Sequence, residues 1–253
     1  MLIPRLRPRP EPSGPYWKQR SWQLSAAFLA LVMLVGGFVA LTSDRDLGPA
    51  SAVPSAGPLT GVAATAQDGR PQGCHTDDSA GDTLPKSAPK DISWHTLGIA
   101  RVPVSGSAGP TRTSGVLRWC FAHTPVGAAL AATVIPSQMS GSGWRAVTDQ
   151  QVMAGRGRDL FRFQRATVQD VDSAADNGGA STASYAGFAV TSYTRTAASV
   201  RLLLRTGQGY ASTVILLRWS GGDWKVVPDD SGSLHTSVAT VSGDTNGFVL
   251  WGV

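Results

Sequence analysis

Two cysteines, Cys74 and Cys120, and four histidines, His75, His95, His123 and His235, are the side chains in this sequence best suited to covalent or metal chemistry. Zinc sites draw on closely spaced ligand pairs, and the chain has neither a Cys-x-x-Cys nor a His-x-x-x-His pair. A nucleophilic cysteine would need a base held beside it, and no spacing sets Cys74 against His75 or Cys120 against His123 in that role. His123 directly precedes Thr124, a good helix cap, which suits a capping or packing ring better than a catalytic base. His95 falls in a strand-like run and reads as structural, while His75 and His235 fall in stalk and loop. The acids Asp149, Asp159, Asp170, Asp172 and Asp176 are scattered around helices and a loop, as solvating residues are. The run GRGRD at 155–159 lacks the Lys-Ser/Thr of a phosphate loop, and no strand leads into it. There is no Gly-x-Ser-x-Gly elbow. These patterns assign no catalytic, metal-binding or cofactor-binding residue, so the chain reads as non-enzymatic with no cofactor. What remains for the cysteines is to pair with each other, and that depends on the compartment.

The compartment is set by Trp22 to Leu41, twenty residues without a charge. At 1.5 Å per residue such a helix crosses a hydrocarbon core of about 30 Å. Arg5, Arg7, Arg9, Lys18 and Arg20 precede it, with Glu11 as the lone acid. Basic flanks stay on the cytoplasmic side. The expected topology is a single-pass cell-membrane protein with its N-terminus cytoplasmic and its C-terminal domain extracytoplasmic. A cleaved signal peptide is the competing reading, but its apolar region is shorter, and VALTSD offers no good cleavage site. Export to an oxidising compartment then favours a Cys74–Cys120 disulfide. The bilayer itself is the first expected partner.

Charge supports this division. Five of the 22 basic residues and one of the 17 acids lie in the first 20 positions, which leaves the remainder at about +1. The sequence pI of 9.6 therefore belongs mostly to the inner tail, and no direct nucleic-acid binding is expected.

Four regions follow: a basic tail at 1–21, a transmembrane helix at 22–41, a flexible Pro/Gly/Ala/Ser-rich stalk at 42–90, and an outer domain at 91–253. The stalk has too few large apolar side chains to offset the cost of ordering it, although a disulfide at Cys74 would pin its last part from about Gly73. ISWHTLGIARVPVS alternates only partly, and Pro103 argues for an edge strand or irregular extended chain. GVLRWCFA reads as a strand carrying Cys120. Thr124 and Pro125 then open a buried helix over Val126–Ile135, ended by Pro136 and the glycines after it. WRAVTDQQVMAG and RDLFRFQRATVQD offer two more helices. From Tyr185 the period falls to two, giving four strands between 185 and 227 with Gly221-Gly222 as a hairpin turn. The tail NGFVLWGV should pack back onto the domain.

Helices followed by an antiparallel meander define an α+β domain, with helices packed on the concave face of a curved sheet. A β-sandwich is the alternative, but the helical stretch is too long for it. The small residues Gly127, Ala128, Ala129, Ala131 and Ala132 would allow close helix–sheet approach. Six of the eight tryptophans fall in the outer domain, as core and sheet packing or as the lining of a groove between helices and sheet.

The segments CH at 74–75, APKDISW at 88–94, VPVSGSAGP at 102–110, CFAHTPVGAALAA at 120–132 and LLRWSGGDWKVV at 216–227 resemble a family of actinobacterial single-span membrane-anchored proteins of unassigned function, often carried on integrative conjugative elements. One span, a stalk, helices and a curved sheet ending in RWSGGDWKVV also resemble the nuclear-transport-factor-two-like, or cystatin-like, domains of bitopic type IV secretion proteins. The resemblance implies a membrane-tethered assembly or adaptor protein of a conjugative DNA-transfer apparatus. Its partners would be other membrane or secretion-apparatus proteins, or further copies of itself. An extracytoplasmic ligand- or cell-wall-binding domain is the alternative.

Overall fold

The computed structural model, which describes residues 57–59, 69–168 and 183–252, places the small-residue segment after Thr124 in a helix, α1 (Pro125–Ser137). Thr124 Oγ1 accepts the Gly127 N–H at 3.2 Å, and Pro125 occupies the first turn, where a missing N–H loses nothing. Every residue from Gly127 to Ile135 is buried. The hydroxyls of Thr133 and Ser137 donate back to the carbonyls of Ala129 and Thr133, at 2.9 and 2.8 Å, so neither oxygen is left bare in the core. Pro136 was expected to end the helix and instead sits in its last turn. It removes only one ladder bond, and the chain tightens into a 3-10 turn at Gln138–Ser140 immediately afterwards.

The partly alternating run after Asp91 is a hairpin of two full strands, β1 (Ile92–Leu97) and β2 (Ala100–Ser105), turned at Gly98 with φ +57°. Pro103 fits within β2 because that strand's second neighbour pairs with it only at Ala100 and Arg101. A separate two-stranded ribbon follows, β3 (Arg112–Ser114) and β4 (Leu117–Trp119). The strand expected to carry Cys120 stops one residue short, since Cys120 turns into the left-handed region at φ +71°.

The period-two region forms β5 (Ala183–Tyr193), β6 (Ala197–Thr206), β7 (Gly209–Ser220) and β8 (Asp223–Val226), in the expected antiparallel meander. Gly221 and Gly222, at φ +65° and +78°, make the last turn and set Trp219 opposite Trp224. Strand order among the described residues is β1-β2-β5-β6-β7-β8, and the β2–β5 joint is parallel. A parallel joint needs a long crossover, and the helical segment between these strands supplies it. Two short strands complete the sheet: β9 (Ala239–Val241) pairs with β7 and β10 (Val249–Leu250) with β5. The tail does pack back: Trp251 is buried and stacks on Phe188 at 4.2 Å.

The result is an α+β fold with a curled, largely antiparallel sheet. The residues of β6 and β7 that face α1, among them Val200, Leu202, Ile215 and Leu217, form the core with Leu130, Val134 and Ile135. Helix α2 (Trp144–Gln151) meets the sheet at β8, and α3 (Arg156–Arg165) packs on α2, with Trp144 edge-on to Phe161 at 6.3 Å. Coverage of the sheet therefore falls to α1.

All described residues lie in one unit, Ala52–Val253. The expected tail and the span at 22–41 fall outside the described residues, and among the described residues no helix is long and apolar enough to cross a membrane. Within the stretch assigned to the stalk, parts are packed against the domain: Leu59, Arg70 and Cys74 are 3%, 6% and 4% exposed, while most of residues 77–90 are exposed. The packed parts form a strap, and the reason is chemical rather than hydrophobic, as the site below shows.

Candidate functional site

Cys74 and Cys120 are joined in a disulfide, with Cα atoms 5.4 Å apart. The left-handed turn at Cys120 aims two successive backbone N–H groups, of Cys120 and Phe121, at one point, and such a nest binds an anion. Asp223 fills it: Oδ2 accepts from Cys120 at 2.6 Å, and Oδ1 accepts from Phe121 at 3.0 Å and from its own neighbour Trp224 at 2.9 Å. Asp223 is fully buried, and burial pushes its carboxyl up to about 6, against the N–H donors and the charge of Arg70, which hold it down.

Arg70 from the strap closes the same corner. Its guanidinium donates to Phe121 O at 2.5 Å, to Thr76 Oγ1 at 2.8 Å and to Asp78 Oδ2 at 2.9 Å, and its plane lies over the Trp219 ring at 5.2 Å. His123 stacks on Trp219 at 3.8 Å and meets Trp224 edge-on. Its Nε2 lies 2.6 Å from the Arg195 carbonyl, and because a carbonyl only accepts, Nε2 carries the proton there. The Trp224 indole N–H donates to Ala122 O at 3.0 Å, and the Tyr193 hydroxyl donates to His123 O at 3.0 Å. Burial, then the nearby Asp82, raises Tyr193 to about 12, so it remains a donor at any physiological pH. His123 is thus a packing residue. The corner is a latch in which each of these groups is matched to a backbone or side-chain partner, with no nucleophile or open position among them.

The histidines are put to separate uses. His95 lies exposed on β1 beside Ser93, and His235 lies in the loop after β8 with Nδ1 2.8 Å from Thr236 O. Asp149 is paired with Arg162 at 3.2 Å. Asp170, Asp172 and Asp176 lie outside the described residues. Among the described residues no group of three His, Cys, Asp or Glu side chains is placed to hold a metal ion.

An open site lies on the sheet face turned away from α1. Register partners run across four strands in one rung: Arg101 on β2, Ser184 on β5, Arg205 on β6 and Tyr210 on β7. Register partners share a face, and two strand spacings put the Arg101 and Arg205 Cα atoms about 10 Å apart. Between them is a cavity of about 250 Å³, walled also by Trp94 and Leu250. The Arg101 guanidinium lies over Trp94 at 5.2 Å and that of Arg205 over Tyr210 at 6.0 Å. No acid lines the cavity among the described residues. The strands of this sheet carry Arg101, Arg201, Arg205, Arg218 and Lys225 against Asp223 alone, and that acid is spent in the latch. Composition hid this site, because the near-neutral sum over the domain averages a basic face with acids in its loops. The readable signal was the placing of Arg201 and Arg205 at alternating positions in β6.

A curled, largely antiparallel sheet under one buried helix, closed by a disulfide latch and carrying a cationic pocket on the face turned away from α1, defines a disulfide-stapled α+β domain. The chain belongs to the family described as a domain of unknown function (DUF8175), whose model matches residues 54–250. That match begins within the stretch the sequence assigned to the stalk, in step with the packing of the strap. No curated protein and no solved structure matches the chain.

Proposed function

We propose that this chain is a non-enzymatic, membrane-tethered adaptor, held by residues 22–41 as a single span with its N-terminus cytoplasmic, whose outer domain docks other components of a conjugative, type IV secretion-like apparatus. In this reading the α+β domain is a variant of the nuclear-transport-factor-two-like, or cystatin-like, fold. The observation that carries the adaptor role is the asymmetry of the sheet. One face is consumed by α1, while the other presents Arg101, Arg205 and Arg218 exposed, with aromatic and aliphatic side chains between them and no strand acid to neutralise them. Exposed cations that no acid among the described residues satisfies favour an outside partner of opposite charge.

Ligand binding by the same face is the second reading, and the cavity between Arg101 and Arg205 favours it specifically. The test is site-specific photocrosslinking from Ser212 or Leu216 on that face in native membranes, with DNA-transfer frequency measured in a deletion strain. Capture of an identified channel component and reduced transfer are expected. Normal transfer with no channel component captured removes the conjugation role.

A further inference from the structure

We infer that the cavity between Arg101 and Arg205 is a binding site for a phosphate ester of headgroup size, a ligand assignment that rests on the reading of this domain as a binding module. Three features of the cavity point there. First, the two guanidiniums are uncompensated: among the described residues neither is in an ion pair, and no acid lines the walls. Second, each guanidinium lies over an aromatic ring within cation–π range, Arg101 5.2 Å from the Trp94 centroid and Arg205 6.0 Å from that of Tyr210. That attraction restrains each side chain near its ring, which lowers the ordering cost of accepting an anion. Third, the cations come in a pair about 10 Å apart at the backbone, across the small Ser184. One fork satisfies the two oxygens of a carboxylate, whereas two forks converging on one space suit the three oxygens and the charge of about −1.5 to −2 on a phosphate monoester.

Size and walls narrow the class further. At about 250 Å³ the cavity is smaller than the roughly 300–1,000 Å³ of sites for drug-sized molecules, so it takes a phosphate with a short appendage. Trp94 and Leu250 give that appendage an apolar surface to rest on. A phosphatidic acid headgroup and a soluble phosphate monoester both offer this chemistry.

The test is calorimetric titration of the full chain, solubilised in an uncharged detergent, with phenyl phosphate as the probe and benzoate and phenol as controls. Phenyl phosphate should bind, more weakly as salt rises, and better than benzoate, while phenol should not bind. Arg101→Ala and Arg205→Ala should each weaken binding by about tenfold or more, in line with losing hydrogen bonds to a charged group. Arg101→Lys should fall between, since it keeps the charge but loses the fork. Arg218→Ala, which removes an exposed cation of the same face outside the cavity, should leave binding unchanged. Titrations with glycerol 3-phosphate and with the soluble short-chain lipid dihexanoyl phosphatidic acid then separate the sources, the tighter of the two naming the physiological class.

No binding of phenyl phosphate, equal binding of benzoate, or equal loss in Arg218→Ala each overturns the assignment. If phenyl phosphate fails while crosslinking from the same face captures a channel component, the ligand falls and the adaptor reading stands.

Discussion

Asp223 is the residue on which the latch turns, and its behaviour is set by two opposed effects. Burial favours its neutral form, and the nest of N–H groups favours its ionised form. The first wins, which places the carboxyl at about 6 when folded, against about 3.9 in an unfolded chain. The folded state therefore holds this proton more tightly than the unfolded state does. The contribution of Asp223 to stability is greatest below about pH 4, falls as pH rises through about 6, and is level above that; the fall is on the order of 3 kcal/mol. Asp223→Asn cannot ionise, yet it puts an amide donor where the nest needs an acceptor, and an orphaned buried N–H costs about 1–3 kcal/mol. Denaturant unfolding of both proteins from pH 4 to pH 8 should show the stability difference between wild type and variant shift by about 3 kcal/mol in the variant's favour as pH rises through 6. A gap that does not change with pH removes the proton-linked part of this account. No sequence signal marked Asp223, because its partners Cys120 and Phe121 lie more than a hundred residues away and only the left-handed turn aims them. His123 was legible as a packing residue because its position before the Thr124 cap already limited what it could do.

At the scale of elements, helix α1 and strands β5–β8 were legible because each carries a periodic pattern and a chemical stop signal. Thr124-Pro125 announces the helix, and Gly221-Gly222 announces the β7–β8 turn. The β1–β2 hairpin was obscured by Pro103, a residue that disfavours a strand until pairing on one side is known to lapse. What makes α1 fit is more local still. A Cβ added at Gly127 would lie 2.0 Å from Ala122 O, backbone that the Trp224 indole also binds. In an exposed helix Gly→Ala stabilises by about 1 kcal/mol, so propensity and packing predict opposite signs here. Gly127→Ala should be destabilising by several kcal/mol, read as a drop in melting temperature, because neither the carbonyl nor the helix can move without opening the core. A rise in melting temperature would show that α1 is not seated as described.

For the whole molecule, the main departure from the sequence reading is the strap. Its composition is that of a flexible stalk, and nothing in its hydropathy marks Leu59 or residues 70–74 as a seat on the domain. It is held by a few strong polar contacts instead: the Arg70 guanidinium on Phe121 O and Asp78, the His123 N–H on Asp78 at 2.9 Å, and the disulfide. Further along, the Leu59 N–H donates to Gln150 Oε1 and the Leu59 carbonyl accepts from Lys225 Nζ, at 3.0 and 3.2 Å. Such contacts are invisible to a scale that counts apolar residues. The disulfide alone was legible, from an even cysteine count and the expected export. Removing it with Cys74→Ala and Cys120→Ala together should cost about 2–4 kcal/mol and expose residues 69–90 to proteolysis before the sheet is cut. Thiol labelling of the unreduced, unfolded wild type should find no free cysteine. Equal protease resistance of the strap in the double variant would mean that Arg70 suffices without the covalent link.

The strap also fixes an order of events during synthesis. Gly222 leaves no room for a side chain because Gly69 O and the Arg70 Cα would each lie 2.6 Å from its Cβ, so the strap rests directly on the β7–β8 turn. That seat is made about 150 residues after Arg70, which at about 5–20 residues per second is roughly 8–30 s later. During that interval Arg70 has no aromatic ring beneath it and Cys120 lacks the carboxylate that holds its turn. The part of the domain made first is thus secured last. A chain built this way depends on an environment that leaves the Cys74 thiol available until the far end of the sheet has arrived.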